Sequence, residues 1–133
     1  MTAPFEFFAH GLPAPQGSKK HVGGGRMVES SKNVKPWREA VKFAVLEANK
    51  ARLKFHAPVR VEIEFYFARP KSRKKDVHHC TAPDLDKLCR STLDALTDSG
   101  IIVDDSLVAD LRASKFYVVG DKAPGASIRV GVL

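Results

Sequence analysis

One strictly alternating stretch, "APVRVEIEFYFARP" at residues 57–70, constrains the fold of this chain more than any other feature. Its apolar side chains fall at every second position: Val59, Val61, Ile63, Phe65 and Phe67. Successive side chains of a β-strand point to opposite faces, so this pattern predicts a strand with one buried face. The chain must therefore build a sheet with a layer packed against that face.

Two segments have helical periodicity. Residues 36–53 begin with Pro36, which suits a first helical turn, and the apolar positions that follow repeat at helical spacing. A second apolar line in this segment predicts a second covering neighbour, either in the same chain or in another subunit: Phe43, Leu46 and Leu53. Residues 85–97 form the second predicted helix, which Gly100 ends.

The rest of the chain predicts short strands and loops. We expect strands at residues 5–11, 26–30, 107–119 and 126–132, with a Gly- and Pro-rich loop after the first strand. A length of 133 residues favours one domain, 1–133, without internal repeats. The predicted fold is α/β (α+β), with a small mixed sheet and two main helices.

Charge and composition restrict the function. Lys and Arg number 22 against 15 Asp and Glu, which gives a net charge of +7 and indicates a polyanionic partner, most often nucleic acid. We expect the basic loops at residues 19–26 and 69–79 to contact backbone phosphates. No apolar run is long enough to span a membrane, and the N-terminus does not resemble a signal peptide, so the expected location is the cytoplasm.

Against this basic background, residues 82–105 gather six aspartates: Asp84, Asp86, Asp94, Asp98, Asp104 and Asp105. Asp84 at the N-cap and Asp86 in the first turn are explained by helix formation alone. A convergence with the Asp104–Asp105 pair requires residues 100–103 to run back along the helix. Two carboxylates 4 Å apart repel by about 4 kcal/mol at an effective dielectric constant near 20, a cost that Mg²⁺ or Mn²⁺ would remove.

Three other interpretations of this region lead to different functions. An EF-hand starting at Asp84 fails because Leu88 and Cys89 stand where an oxygen ligand and a glycine are needed. A zinc site could use the nearby histidines and cysteines, but the usual ligand spacing is absent, and His78 and His79 are assigned to a phosphate-facing loop. A non-catalytic DNA-binding protein, with its aspartates as caps and ion-pair partners, remains open.

The segment "PDLDKLCRSTLDALTDSGIIVDDSLVADLR", residues 83–112, resembles the RusA family of Holliday junction resolvases from bacteria and their phages. The shared pattern runs from P-D-x-D-x-L through D-A-L and a glycine to D-D before a strand. The resemblance implies a small homodimeric α/β endonuclease that cuts four-way DNA junctions with Mg²⁺ or Mn²⁺ in recombination and repair. A nuclease for another branched DNA is the related alternative.

The resemblance also implies site residues. Asp84, Asp86 and Asp105 match the metal-binding catalytic aspartates, and Arg90 stands where the family often has a catalytic lysine. Because arginine does not lose its proton near neutral pH, Arg90 should act electrostatically on the phosphate. The sequence by itself does not decide whether Asp104 or Asp105 binds the metal, and only the resemblance selects Asp105.

The expected DNA contacts come from the two basic loops and from the start of the second helix, where Lys87 replaces a common asparagine of the family. They are Lys19, Lys20, Arg26, Arg69, Lys71, Arg73, Lys74, Lys75 and Lys87.

Overall fold

The computed structural model describes residues 3–16, 19–21, 27–29, 32–72 and 75–133. The strands are β1 (Phe5–His10), β2 (Lys19–His21), β3 (Met27–Glu29), β4 (Val59–Phe67), β5 (Val108–Tyr117) and β6 (Gly125–Val132). The helices are α1 (Val34–Ala48) and α2 (Leu85–Ser99), and a 3-10 turn spans Asp105–Leu107. This is the predicted α+β fold with a mixed sheet and two helices.

The main sheet has the strand order β1-β6-β4-β5, and β2 pairs with β3 in a separate two-stranded sheet. Strand β4 is antiparallel to β6 and parallel to β5, so helix α2 forms the crossover between two parallel strands. The predicted alternation in β4 is confirmed, because its five apolar side chains are buried under the helices. The lysines and histidine of β2 were expected in a loop, and that expectation was wrong for the backbone of Lys19–His21.

Helix α1 ends earlier than predicted. It runs from Val34 to Ala48, although its periodicity extends to Leu53. The side chain of Asn49 closes a turn by donating to the Leu53 carbonyl and accepting from the Leu53 amide, at 3.0 and 2.8 Å. This local side-chain pairing competes with further helix formation, so the chain leaves the helix there.

The two helices pack on the sheet through a core centred on Trp37, whose indole Nε1 donates to Thr92 Oγ1 at 3.1 Å inside the core. The second apolar line of α1 is not covered by the described part of the chain, since Phe43 and Leu46 are 64% and 65% exposed. An intrachain cover for that line was therefore a wrong expectation within the described residues. None of the described helices is long and apolar enough to cross a membrane.

Candidate active site

The start of helix α2 places the first two aspartates. Asp84 is the N-cap residue, as predicted, but its side chain makes no capping hydrogen bond and instead lies 3.7 Å from the Lys87 ammonium. Asp86 lies in the first turn. Lys115 of β5 donates to the carbonyls of Thr81 and Pro83 at 2.8 and 2.9 Å, which fixes the segment before the helix against the sheet.

The end of helix α2 returns the chain toward its own flank. Gly100 takes the left-handed conformation (φ 85°) that terminates the helix, as predicted. Ile101 and Ile102 are buried, and Phe55 exchanges backbone hydrogen bonds with Ile101 and Val103 at 2.8 and 3.2 Å. The chain then enters the 3-10 turn that carries Asp105.

These placements create one cavity of about 640 Å³ between helix α2 and strand β5. Its charged lining residues come from three turns of α2 and from the 3-10 turn: Asp86, Arg90, Asp94 and Asp105. Asp86, Arg90 and Asp94 follow one another at intervals of four residues and lie on one flank of α2. The cavity also brings Asp105 to that flank, while its apolar wall includes Leu111 and Ala113 of β5.

Asp84 lies outside this cavity. It lines a neighbouring one of about 520 Å³, with Lys87 and Pro83 on one side and Pro13 of the N-terminal loop on the other. Among the described residues, no three His, Cys, Asp or Glu side chains converge closely enough to hold a metal ion. Two of the three expected metal ligands, Asp86 and Asp105, therefore line the same cavity, and Asp84 lines the neighbouring one.

Asp104 and Asp105 point to different surroundings. The Asp104 carboxylate accepts a hydrogen bond from the Ser106 hydroxyl, which holds its pKa below the usual range. Asp105 instead lines the cavity. The neighbours thus divide into one carboxylate that bonds within its own turn and one that lines the same cavity as Arg90 and Asp86.

Cys89 lies in the cavity wall as a neutral thiol. Burial, together with the negative charge of Asp86, raises its pKa to about 11. The charged oxygen donors that line this cavity are the carboxylates of Asp86, Asp94 and Asp105. Carboxylate oxygens suit hard cations such as Mg²⁺ or Mn²⁺.

Sequence reasoning missed the residue that holds Asp94. Gln16 of the N-terminal loop donates to the Asp94 carboxylate, and its backbone amide donates to the Lys87 carbonyl at 3.0 Å. Arg38 of α1 completes the network by donating to Gln16 at 3.4 Å and pairing with Asp98. Asp94 is therefore held in place by a hydrogen bond from the N-terminal loop.

The basic loop after β4 is only partly described. Lys71 and Lys75 are exposed, whereas Arg69 donates to the Asp76 carbonyl and lies 5.2 Å from the centre of the Tyr117 ring. The described part of the chain does not include Arg26, Arg73 and Lys74. For Lys19 and Lys20 it includes the backbone but not the side chains. The phosphate-facing role expected of His79 does not fit its position, because it is buried against Phe67 with ring centres 4.2 Å apart.

The comparisons with known proteins identify the family. A family model described as Endodeoxyribonuclease RusA matches residues 10–131 of the 133-residue chain. The chain belongs to the RusA family. That match spans both helices and three of the four strands of the main sheet, with only His10 of β1, so the family assignment covers the cavity as well as the acidic motif. No curated protein matches the chain.

Proposed function

We propose that this RusA-family protein is a divalent-metal-dependent endonuclease that resolves four-way DNA junctions during recombination and repair in the bacterial cytoplasm. The observation that carries the proposal is the cavity where Asp86, Asp105 and Arg90 meet. Two carboxylates offer oxygen ligands for a hard cation, and the guanidinium offers planar hydrogen bonds to a phosphate. Metal-dependent cleavage at this site needs the two carboxylates and the guanidinium within reach of the same scissile phosphodiester.

The proposed metal ligands are Asp84, Asp86 and Asp105. Asp86 and Asp105 already share a cavity. To bind the same cation, Asp84 would have to leave its contact with Lys87. Both of those side chains are substantially exposed, and such surface ion pairs contribute only about 0–1 kcal/mol. Leaving this ion pair is therefore a small obstacle to Asp84 joining the other two carboxylates.

A bound Mg²⁺ or Mn²⁺ would supply an activated water and would offset negative charge on the phosphate. The chain's own residues do the rest. Arg90 holds a non-bridging phosphate oxygen through the N–H donors of its guanidinium. Gln16 secures Asp94 beside Arg90, which keeps this flank of α2 in a fixed arrangement.

The DNA backbone is held by cations around the cavity. Lys87 lies one turn from Asp84, and Lys71 and Lys75 are exposed on the loop that leads from β4 toward α2. Lys19, Lys20, Arg26, Arg69, Arg73 and Lys74 are proposed to add phosphate contacts. Such contacts fix register on the DNA without reading its sequence.

We also propose that the protein acts as a homodimer. The exposed apolar line of α1 supports this assembly, because Phe43 and Leu46 offer surface that a second subunit could bury. A two-fold dimer would present two cavities to a four-way junction, which has matching pseudo-symmetry.

The proposal is tested with three labelled substrates: a synthetic four-way junction, a flap and a linear duplex of the same arm sequence. We expect cleavage of the junction in Mg²⁺, none in EDTA, and much slower cleavage of the duplex. Preferred cleavage of the flap would assign the site to another branched DNA, and binding without any cleavage would leave a DNA-binding protein.

A further inference from the structure

The face of the main sheet that points away from the helices is divided into two halves. One half carries a ladder of alternating charge, in which Glu6 lies opposite Arg129, Arg129 opposite Glu62 and Glu62 opposite Arg112. Arg129 forms ion pairs with both glutamates, at 3.9 Å for Glu62. Cross-strand pairs of opposite charge stabilise a solvent-facing sheet, so this half is satisfied within the chain.

The other half carries a continuous row of aromatic rings, from the edge strand β1 across β4 and β5 to the loop before α2. Its members in spatial order are His10, Phe8, Tyr66, Phe116 and His78. Neighbouring ring centres are 4.7, 6.3, 5.5 and 4.8 Å apart in the same order. We refer to these five residues as the aromatic row.

Gly125 makes the row continuous across strand β6. The register places Gly125 between His10 of β1 and Tyr66 of β4. A Cβ atom at this position would lie 2.5 Å from Cε1 of Phe8 and 2.3 Å from the Ala9 carbonyl oxygen. Because the strand carries no side chain there, the Phe8 ring lies over the gap and extends toward Tyr66.

The aromatic row is accessible from solvent. Phe8 is 37% exposed, His10 and His78 are exposed, and Tyr66 and Phe116 are half-buried. The Tyr66 hydroxyl donates to Glu64 at 3.3 Å, which orients this ring without covering it.

The row ends close to the proposed DNA site. His78 belongs to the same loop as the exposed Lys71 and Lys75, and it pairs with Phe116 through an isolated backbone bridge. The residue before Phe116 is Lys115, whose ammonium contacts the carbonyls just before helix α2 on the other side of the sheet. The rings and the start of α2 therefore lie at the same end of the sheet.

We infer that the aromatic row binds single-stranded DNA by stacking its unpaired bases, while the cations of the adjoining loop hold the backbone. Base–aromatic stacking accepts any base, and it occurs in proteins that combine exposed rings with a basic groove. The net charge of +7 and the family's DNA substrate favour this occupant over an apolar protein partner. The inference goes beyond junction cleavage, because it requires neither a metal nor a reaction.

The test measures oligonucleotide binding in EDTA by fluorescence anisotropy. Two labelled 12-nucleotide strands are compared: oligo(dT), and an abasic strand with the same number of phosphates. We expect the wild-type chain to bind oligo(dT) at least about fivefold more tightly, since one stacked base contributes that much or more. Equal affinity for the two strands would overturn the inference.

The variants Phe8→Leu and Phe116→Leu retain apolar volume but lose the ring, so they isolate stacking from folding. Each should lose most of the preference for oligo(dT) while its affinity for the abasic strand stays the same. Val132→Ala is the matched control, because it removes exposed apolar surface from the far end of β6, away from the row. An unchanged preference in both ring variants would contradict the inference.

A second readout uses the wild-type chain alone. Photo-cross-links to 5-iododeoxyuridine oligonucleotides should map to peptides that contain Phe8, Tyr66 or Phe116, and cross-links confined to other segments would contradict stacking.

Sedimentation of the ring variants tests whether a second copy of the chain, rather than DNA, covers the row. An altered oligomeric state with unchanged oligonucleotide binding would show that a second copy covers it. Because these assays contain no metal, their outcome is independent of whether the protein cuts junctions.

Discussion

Asp86 and Asp105 line one cavity from two different elements, the first turn of helix α2 and the 3-10 turn that precedes β5. Two features of the chain produce this relationship. Gly100 ends the helix in a left-handed conformation, and the buried Ile101 and Ile102 then run beside Phe55 before the chain enters the 3-10 turn. Three of the six aspartates, Asp86, Asp94 and Asp105, therefore line one cavity, while Asp84 lines another.

The two neighbouring aspartates should differ in function. Asp105→Asn should slow metal-dependent cleavage by at least about 100-fold, because a metal ligand supports several kcal/mol of transition-state stabilisation. Asp104→Asn should lose less than about tenfold, since Asp104 bonds to Ser106 within its own turn. Single-turnover cleavage of one junction at saturating enzyme measures both, and the reverse ranking would assign the metal to Asp104.

Arg90 is expected to act through its charge alone. Arg90→Gln should reduce the single-turnover rate by about 10- to 100-fold, the range for losing a hydrogen bond to a charged group. Arg90→Lys should retain more activity because it keeps a cation beside the phosphate. Lys50→Gln is a control for net charge at an exposed position beyond the end of α1. A rate for Arg90→Gln equal to that of wild type would remove this residue from the mechanism.

The basic loop should determine the salt dependence of DNA binding. Replacing Arg73, Lys74 and Lys75 by Ala should reduce the slope of log affinity against log salt by about 0.9 for each lost phosphate contact. The matched control removes three cations from the opposite end of the sheet, where Lys50, Arg52 and Lys54 are exposed. If both triple variants change the slope equally, the loop has no special role.

A buried hydrogen bond from Trp37 to Thr92 joins helices α1 and α2 in the core. Trp37→Phe should lower the free energy of unfolding by about 1–3 kcal/mol, because it deletes the indole donor to Thr92 and leaves a small void. Urea unfolding followed by circular dichroism measures the loss. Val119→Ala, at an exposed position just after β5, should stay within about 0.5 kcal/mol of wild type. An unchanged midpoint for Trp37→Phe would show that Thr92 needs no such partner.

Local patterns in the sequence predicted what depends on local geometry. The alternation from Val59 to Phe67 specified a strand and its buried face, and Gly100 specified the end of α2. The end of α1 was mispredicted, because the side chain of Asn49 forms bonds with Leu53 that compete with the helical periodicity.

Features that depend on long-range packing were missed. The bond from Gln16 to Asp94 joins residues 78 positions apart, and no periodicity signals it. The aromatic row depends on strand order, since Phe8 reaches Tyr66 only because β6, with Gly125, lies between their strands. The selection of Asp105 over Asp104 came from the family resemblance, because two adjacent aspartates have no spacing signal that separates them.

The cavity of Asp86 and Asp105 is proposed to bind the divalent cation that cutting requires. The most direct measurement is single-turnover cleavage of a four-way junction in Mg²⁺ by wild type and Asp86→Asn, with junction binding measured in parallel by gel shift. We expect the variant to bind the junction as tightly as wild type and to cut it at least about 100-fold more slowly. Cleavage by Asp86→Asn at a rate near that of wild type would contradict the account.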